Sequence, residues 1–262
     1  MNNFISAEGF EKTFRYIQLI EKGVGVTVLL ALFTVVIGFV LGILLAILRM
    51  TDIRPFRFLA YDRKGRLQSS KLLTAISKFN PVSFLATAYV EIIRSTPVLV
   101  QIMIIYHGVF SKLITLPSFT FLGFIQFDRF FPGVVALGMN SAAYLCEIIR
   151  SGIQSIDGGQ TEAARSLGMT KLQTMVHIIL PQAIKNILPA IANEFVAIIK
   201  ESSITYTIGV QDLMFAVEAI RGAKFIIMEP LLVATAIYFC LCFPASKLIA
   251  YFERRMSRGD KR

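Results

Sequence analysis

The chain has no tryptophan, two histidines and three cysteines in 262 residues. Each scarcity removes a class of chemistry. The cysteines, Cys146, Cys240 and Cys242, all lie in apolar stretches, so they read as small packing residues, with neither a disulfide framework nor zinc-ligand spacing. His107 and His177 stand alone, without a companion Cys, His or Asp cluster, and no metal site is expected. No Gly-x-x-x-x-Gly-Lys-Ser/Thr loop occurs, so the chain itself should neither bind nor hydrolyse ATP. Nucleophile elbows and paired catalytic carboxylates are missing too. The N-terminus lacks the basic start and short apolar core of a cleaved signal peptide. Without tryptophan, any interfacial aromatic belt must use the 22 Phe and 8 Tyr.

What is abundant is apolar sequence. Hydrophobic residues make up 55% and the mean hydropathy is +0.65, too apolar for an ordinary soluble domain. The chain reads as one all-α integral membrane domain over residues 1–262. Spans are expected at 24–48, 97–113, 132–149, 186–210 and 230–251. The first, 25 residues long, would reach roughly 37 Å as a helix, enough for a hydrocarbon core of about 30 Å. Gly38 and Gly42 form a small-xxx-small face suited to close helix packing. Pro132 suits the first turn of the third span, Pro189 and Lys200-Glu201-Ser202-Ser203 interrupt the fourth, and Pro244 is placed to kink the fifth. Residues 1–22 read as an external amphipathic segment on the membrane surface.

A formal net charge of +10 is compatible with nucleic acid as a partner, but its distribution argues against that. Lys and Arg number eight in 49–80, four in 150–186 and six in 247–262, against three, two and two in 1–22, 112–131 and 211–229. Under the positive-inside bias the first three stretches are cytoplasmic, which places the N-terminus outside and the C-terminus inside. The basic loop 49–80 is expected to be solvated, with contact to lipid headgroups or a partner as the alternative.

One stretch organises the rest. Residues 160–167, rich in helix formers, precede Gly168, which is suited to end a helix in a left-handed conformation. Thr170 opens a capping box with Gln173, and Leu172, Val176 and Ile179 share one face. The segment reads as helix, sharp turn, helix, ending where Pro181 breaks the ladder. Ala163 and Ala164 are small enough to let a partner approach. Glu162-Ala163-Ala164, three residues, Gly168, nine residues, Ile178, one residue, Leu180-Pro181 resembles the cytoplasmic loop motif of ABC importer membrane subunits. The preceding Gly159-Gln160 resembles the version in polar amino-acid importers. The stretch from Tyr89 to Gln101 is similar to the segment opening the second helix of that family, although Ser95 stands where Gly is usual and the preceding loop is longer by roughly twenty residues, an insertion of a kind loops tolerate. Ala143-Tyr144 with Glu147, Arg150 and Ile153 fits the same pattern. Lys200-Glu201-Ser202-Ser203 resembles its Lys-acidic-Ser/Thr-Ser element, with Ile204 where Leu is usual.

The resemblance implies a five-helix type I ABC importer permease core in a bacterial inner membrane, taking a polar amino acid into the cytoplasm. It implies a second permease subunit (the same chain or a similar one), two ABC ATPase subunits carrying ATP and Mg, and an extracytoplasmic binding protein. The 150–186 loop, through Gly159, Gln160, Glu162, Ala163, Ala164, Gly168 and Pro181, would receive the ATPase. An ion-driven carrier or a membrane-embedded enzyme or receptor would leave that motif unexplained.

Candidates for a solute path are the intramembrane polar groups. Asn140, Tyr144 and Glu147 fall at i, i+4 and i+7 on one face of the third span, and Asn193 and Glu194 sit in the fourth. A charge facing lipid is costly, so these should face the bundle interior. Glu147 and Glu194 would meet a solute's ammonium or guanidinium group, which leans towards a cationic amino acid. The alternative for Glu147 is a structural lock with Arg150 or Arg94. Glu91, Arg94, Arg150, Lys200 and Glu201 read as structural or gating groups.

Overall fold

The computed structural model describes residues 5–60 and 71–257. The extra loop expected around 61–78 therefore falls partly outside the described residues, as do the last five positions of the basic tail. The fold is almost wholly helical, in the order α1 (Ala7–Phe14), α2 (Ile17–Met50), α3 (Lys71–Lys78), α4 (Pro81–Arg94), α5 (Val98–Met103), α6 (Phe127–Gln154), α7 (Gly158–Ser166), α8 (Lys171–Thr174), α9 (Leu180–Glu201), α10 (Leu213–Lys224) and α11 (Met228–Ser257). A small antiparallel ribbon, β1 (Thr120–Phe121) with β2 (Ile125–Gln126), precedes α6.

Among the described residues four helical runs are long and apolar enough to cross a membrane, at Ile17–Met50, Phe127–Gln154, Lys171–Ile208 and Met228–Met256. The fifth span is a broken one. Pro81–Arg94 and Val98–Phe110 meet at a bend of 109°. The second piece, with its π-helical end at Ile104–Phe110, rises only about 20 Å, short of a hydrocarbon core of about 30 Å. The expected straight span at 97–113 is thus corrected to a bent pair. The cause is Thr96-Pro97, where proline removes a donor and drives its predecessor out of the helical region. Gln101 holds the corner. Its Nε2 donates to Ile93 O (2.8 Å), Thr96 Oγ1 (2.8 Å) and Thr96 O (3.1 Å), while its Oε1 accepts from Asn140 on α6 (2.9 Å).

Other boundaries move for local reasons. α2 begins at Ile17, so the amphipathic segment expected over 1–22 is α1 plus the first turns of a helix about 51 Å long. α1 does not simply lie free, because Glu229 in the first turn of α11 accepts from Ser6 N (2.9 Å) and Ser6 Oγ (3.2 Å) and ties the two helices. α6 begins at Phe127, leaving Pro132 inside the helix instead of in its first turn. The fourth span runs unbroken through Pro189 and Lys200, then tightens to a 3-10 helix over Ser202–Ile208 and stops at Gly209 (φ 82°). Pro181 does not end a helix either. A π-helical stretch at Met175–Ile179 widens the turn before it, and Gln182 Nε2 donates to Ile178 O (2.8 Å), so the ladder continues into α9.

α6 is the central post. Of its most apolar window, 67% is buried, against 6% for α11. α2 packs along it through the expected glycine face. A Cβ on Gly38 would lie 2.8 Å from Ser141 Oγ, and one on Gly42 would lie 2.8 Å from Leu145 Cβ. From the other side Gly138 of α6 leaves room for Ile37. At the end of α2 where α10 packs, Asp212 caps α10 by accepting from Phe215 N (2.8 Å), and Leu213 N donates to Thr27 Oγ1 (3.1 Å). Asp212 is fully buried and its Oδ2 has no hydrogen-bond partner; burial pushes its carboxyl up to about 8.

Two predictions follow from this packing. Gly42→Leu should lower the thermal unfolding midpoint in detergent by several degrees, an overpacking cost of about 1–3 kcal/mol, whereas Gly108→Ala, with open space around it, should change little. Between the ordinary carboxyl range and about pH 8 the folded chain holds a proton on Asp212 that the unfolded chain has released. That contribution to stability should therefore fall as pH rises from 5 to 8. Thermal melts should show the decline in the wild type and a flatter profile in Asp212→Asn.

Candidate functional site

Two regions hold the expected functional residues: a rigid excursion between α6 and α9, and polar groups along the bundle. The excursion opens at Asp157, which caps α7 by accepting from Gly159 N (2.7 Å), a carboxylate at the positive end of a helix dipole. Gly168 ends the first helix in the left-handed region (φ 85°), where a side chain would be strained. Arg165 donates to Met169 O (2.8 Å) across that turn. The capping box then forms as expected. Thr170 Oγ1 accepts from Gln173 N (3.2 Å), and Gln173 Oε1 accepts from Thr170 N (2.8 Å). At the base, Asn186 Nδ2 donates to Ser155 Oγ (3.0 Å), and Gly152 lies directly against Ile187.

The knob so formed is polar except at its tip. Leu167 is 84% exposed and Leu172 73% exposed, while Gln160, Glu162 and Ala163 are also open. Ala164 departs from expectation. It is buried, so its small size serves packing inside this chain and not the approach of a partner.

Along the bundle, Glu147 is held by two cations. Arg49 Nη1 donates to Glu147 Oε2 (2.5 Å), Arg150 Nε donates to the same oxygen (3.1 Å), and Arg150 Nη2 closes on Oε1. Glu91 on α4 joins from 3.7 Å. The cluster ties the end of α2 to α4 and α6. Arg150 is the lock partner foreseen for Glu147, but Arg94 is not, as its guanidinium sits over the Tyr144 ring (5.6 Å to the centroid). Arg49 was read only as one charge of a basic loop. No local pattern marks it, since its partner is 98 residues away.

The remaining candidates divide. Asn140 is buried and spent on Gln101, so the i, i+4, i+7 face does not form one continuous lining. Asn193 is exposed. Glu194 and Glu201, two turns apart on α9, are partly buried and within electrostatic reach of each other, with the Ser141 hydroxyl beside Glu194. Among the described ion pairs neither has a partner closer than the field of Lys200 on Glu201. Lys200 turns away into a cavity of about 460 Å³, shared with Ser203, Thr207, Met214 and Tyr238. His107 packs edge-on against Tyr106, and no grouping of three metal-ligating side chains occurs among the described residues.

A family model described as binding-protein-dependent transport system inner membrane component matches residues 72–258. The chain belongs to this family. It is 36% identical to the arginine transport system permease protein ArtQ of Bacillus subtilis (strain 168), over 96% of this chain and 98% of that protein. It is 40% identical to the nopaline transport system permease protein NocM of Agrobacterium fabrum, over 69% and 75%. Among solved structures it resembles an amino acid ABC transporter with histidines, with a TM-score of 0.76 and 38% identity over 94% of this chain and 98% of that one. The MetNI methionine ABC transporter, at 16% identity and a TM-score of 0.65, shares the fold. This permease is thus an inner-membrane transport subunit of type I importer fold and not an enzyme.

The ion cluster makes a prediction. Removing Glu147 leaves Arg49 and Arg150 half-buried and facing one another. Glu147→Ala should cost on the order of 3 kcal/mol, lowering the unfolding midpoint. Glu147→Gln, which keeps acceptor capacity, should cost less, and Arg49→Ala with Glu147→Ala should be milder than the sum of the singles.

Proposed function

We propose that this chain is the membrane-spanning subunit of an ATP-driven, binding-protein-dependent importer that carries a polar amino acid into the cytoplasm. The observation that carries the coupling half of this reading is the knob at Gly158–Thr174. Rigid capping at both helices and two bare leucines at the tip fit a docking element for a separate ATPase subunit. Force on it would pass without slack into α6 and α9, because Ser155, Asn186, Gly152 and Ile187 join its base. Two ATPase subunits, a second permease subunit and an extracytoplasmic binding protein complete the assembly we infer, with the knob on the cytoplasmic side and the N-terminus outside.

The solute half rests on Glu194 and Glu201. A carboxylate without a close cation in a membrane-embedded helix calls for a positive partner. Two of them on one helix face suit the ammonium or guanidinium of a cationic amino acid. Relatives named for arginine and nopaline transport support that preference, and several named for glutamine support the neutral alternative. Glu147, already neutralised by two arginines, is the weaker candidate for solute contact.

The test is uptake of a labelled amino-acid panel into proteoliposomes holding the permease, its ATPase and its binding protein. Wild-type uptake should require ATP. Glu194→Gln should lower uptake of cationic amino acids at least tenfold while sparing neutral ones. Leu167→Asp should abolish ATP-driven uptake by preventing ATPase docking, with the permease still folded. Uptake without any ATPase, or a Glu194→Gln profile equal to wild type, would overturn the corresponding half.

A further inference from the structure

The excursion between α2 and α4 offers a surface apart from the knob and from the polar groups along the bundle. Both ends are pinned at one place. Ser83 Oγ donates to Arg49 O (2.7 Å), Asn80 Nδ2 donates to Thr51 O, and Asn80 Oδ1 caps α4 by accepting from Ser83 N (3.0 Å). The excursion therefore leaves and re-enters the fold at the rim of the bundle, where α2 ends, on the face that also carries the Arg49–Glu147–Arg150 cluster.

Its described residues are amphipathic. On α3, Leu72 and Ile76 fall one turn apart, and Phe79 follows just beyond the helix on the same stripe; all three are exposed. Ser77, on another side of the helix, is buried. The outgoing arm exposes Ile53, Phe56 and Phe58, and it packs its 3-10 turn at Arg57–Ala60 against α3. Exposed apolar residues also occur on the adjoining ends of the spanning helices. Leu44, Ile47 and Met50 lie on α2, and Phe84 and Leu85 on α4, with the Phe79 and Phe84 rings in contact (centroids 5.5 Å). Arg54, Arg57 and Lys78 are exposed among these residues; among the described residues 51–60 and 71–80 the one anion is Asp52, which pairs with Arg54.

We propose that this segment is an interfacial anchor that lies in the membrane surface and holds anionic phospholipid. Leu72, Ile76 and Phe79 enter the boundary between headgroups and chains, while Arg54, Arg57 and Lys78 meet phosphate. Contact of the Phe79 ring with Phe84, an exposed residue on a spanning helix, argues for a bilayer over a protein partner. The excess of cations decides for an anionic leaflet over a zwitterionic one. An anchor fixed to the end of α2 would hold that end, and with it Arg49 and the Glu147 cluster on α6, at constant depth.

The test uses the full-length permease with its native cysteines replaced, carrying one spin label at position 72, 76 or 78, in nanodiscs of phosphatidylcholine with or without phosphatidylglycerol. The anchor predicts labels at 72 and 76 several-fold more accessible to oxygen than to a water-soluble nickel complex, and the reverse at 78. In phosphatidylglycerol discs, Arg54→Ala, Arg57→Ala and Lys78→Ala should each weaken preference for anionic lipid, by about fivefold at low salt, with the effect fading at high salt. Equal nickel accessibility at 72, 76 and 78 would show a solvated loop and overturn the proposal. Protection from both reagents that arises only on adding the ATPase would assign the surface to that subunit and overturn it as well. Lipid exposure that is identical with and without phosphatidylglycerol would remove the anionic component. None of these outcomes depends on which solute is carried.

Discussion

Gly38 and Gly42 bring α2 so close to α6 that one added Cβ would press on Ser141 or Leu145. In a bilayer, helices gain little from burying apolar side chains against each other, because lipid tails are equally apolar. Close backbone approach is what remains, and it needs residues with nothing to keep the helices apart. The α2–α6 pair supplies that approach on a scale no other helix pair here matches. The other elements are arranged around it. α4 and α5 hang from α6 through Gln101 and Asn140, α9 meets it through Gly152 and Ile187, and α10 caps the far end of α2 through Asp212 and Thr27.

The polar groups of the bundle divide according to whether their charge is already answered. Glu147 receives donors from two arginines, and each arginine is itself fixed to a helix end. Such a cluster costs desolvation, and its use lies less in net stability than in specifying which helix ends belong together. It joins α2, α4 and α6 at the face where the α7 knob leaves the bundle. Glu194 and Glu201 differ: neither is in a described ion pair, and Glu201 has only the field of neighbouring Lys200, on a helix that ends in a 3-10 turn and a left-handed glycine. The first arrangement answers its charge within the chain and the second does so less fully, which is a physical reason to treat the first as scaffold and to test the second for contact with solute.

Local signals were legible in the sequence and distant ones were not. The capping box at Thr170 and Gln173, the left-handed Gly168 and the α2 glycine face each depend on residues within a few positions, and the structure has all of them. The family motif was readable for the same reason. Helix limits went astray where two local rules competed. Pro181 and Pro189 should stop a helix, yet a π-helical turn and the amide of Gln182 absorb the first, and α9 runs through the second. Pro97 does break its helix, because a polar side chain was available to stabilise the corner. The i, i+4, i+7 face of Asn140, Tyr144 and Glu147 was correct as periodicity but wrong as one lining, since each residue found a different partner: Gln101, Arg94 and Arg49. All three partners come from distant stretches of chain, which no window on α6 contains.

The same distinction would separate a docking knob from a solute path. A knob that transmits force needs every turn satisfied internally, and its backbone donors and acceptors are met by Asp157, Arg165, Thr170 and Gln173 within sixteen residues of one another. A path that binds and releases needs the reverse, groups left short of partners in at least one state. Ala164 shows how tightly the first demand is met. Read as a gap for a partner, it is instead the buried underside of the knob, and the surface offered outward is the leucine pair at the tip. Packing inside the chain has taken the small residue, and the surface left open carries two exposed leucines, Leu167 and Leu172.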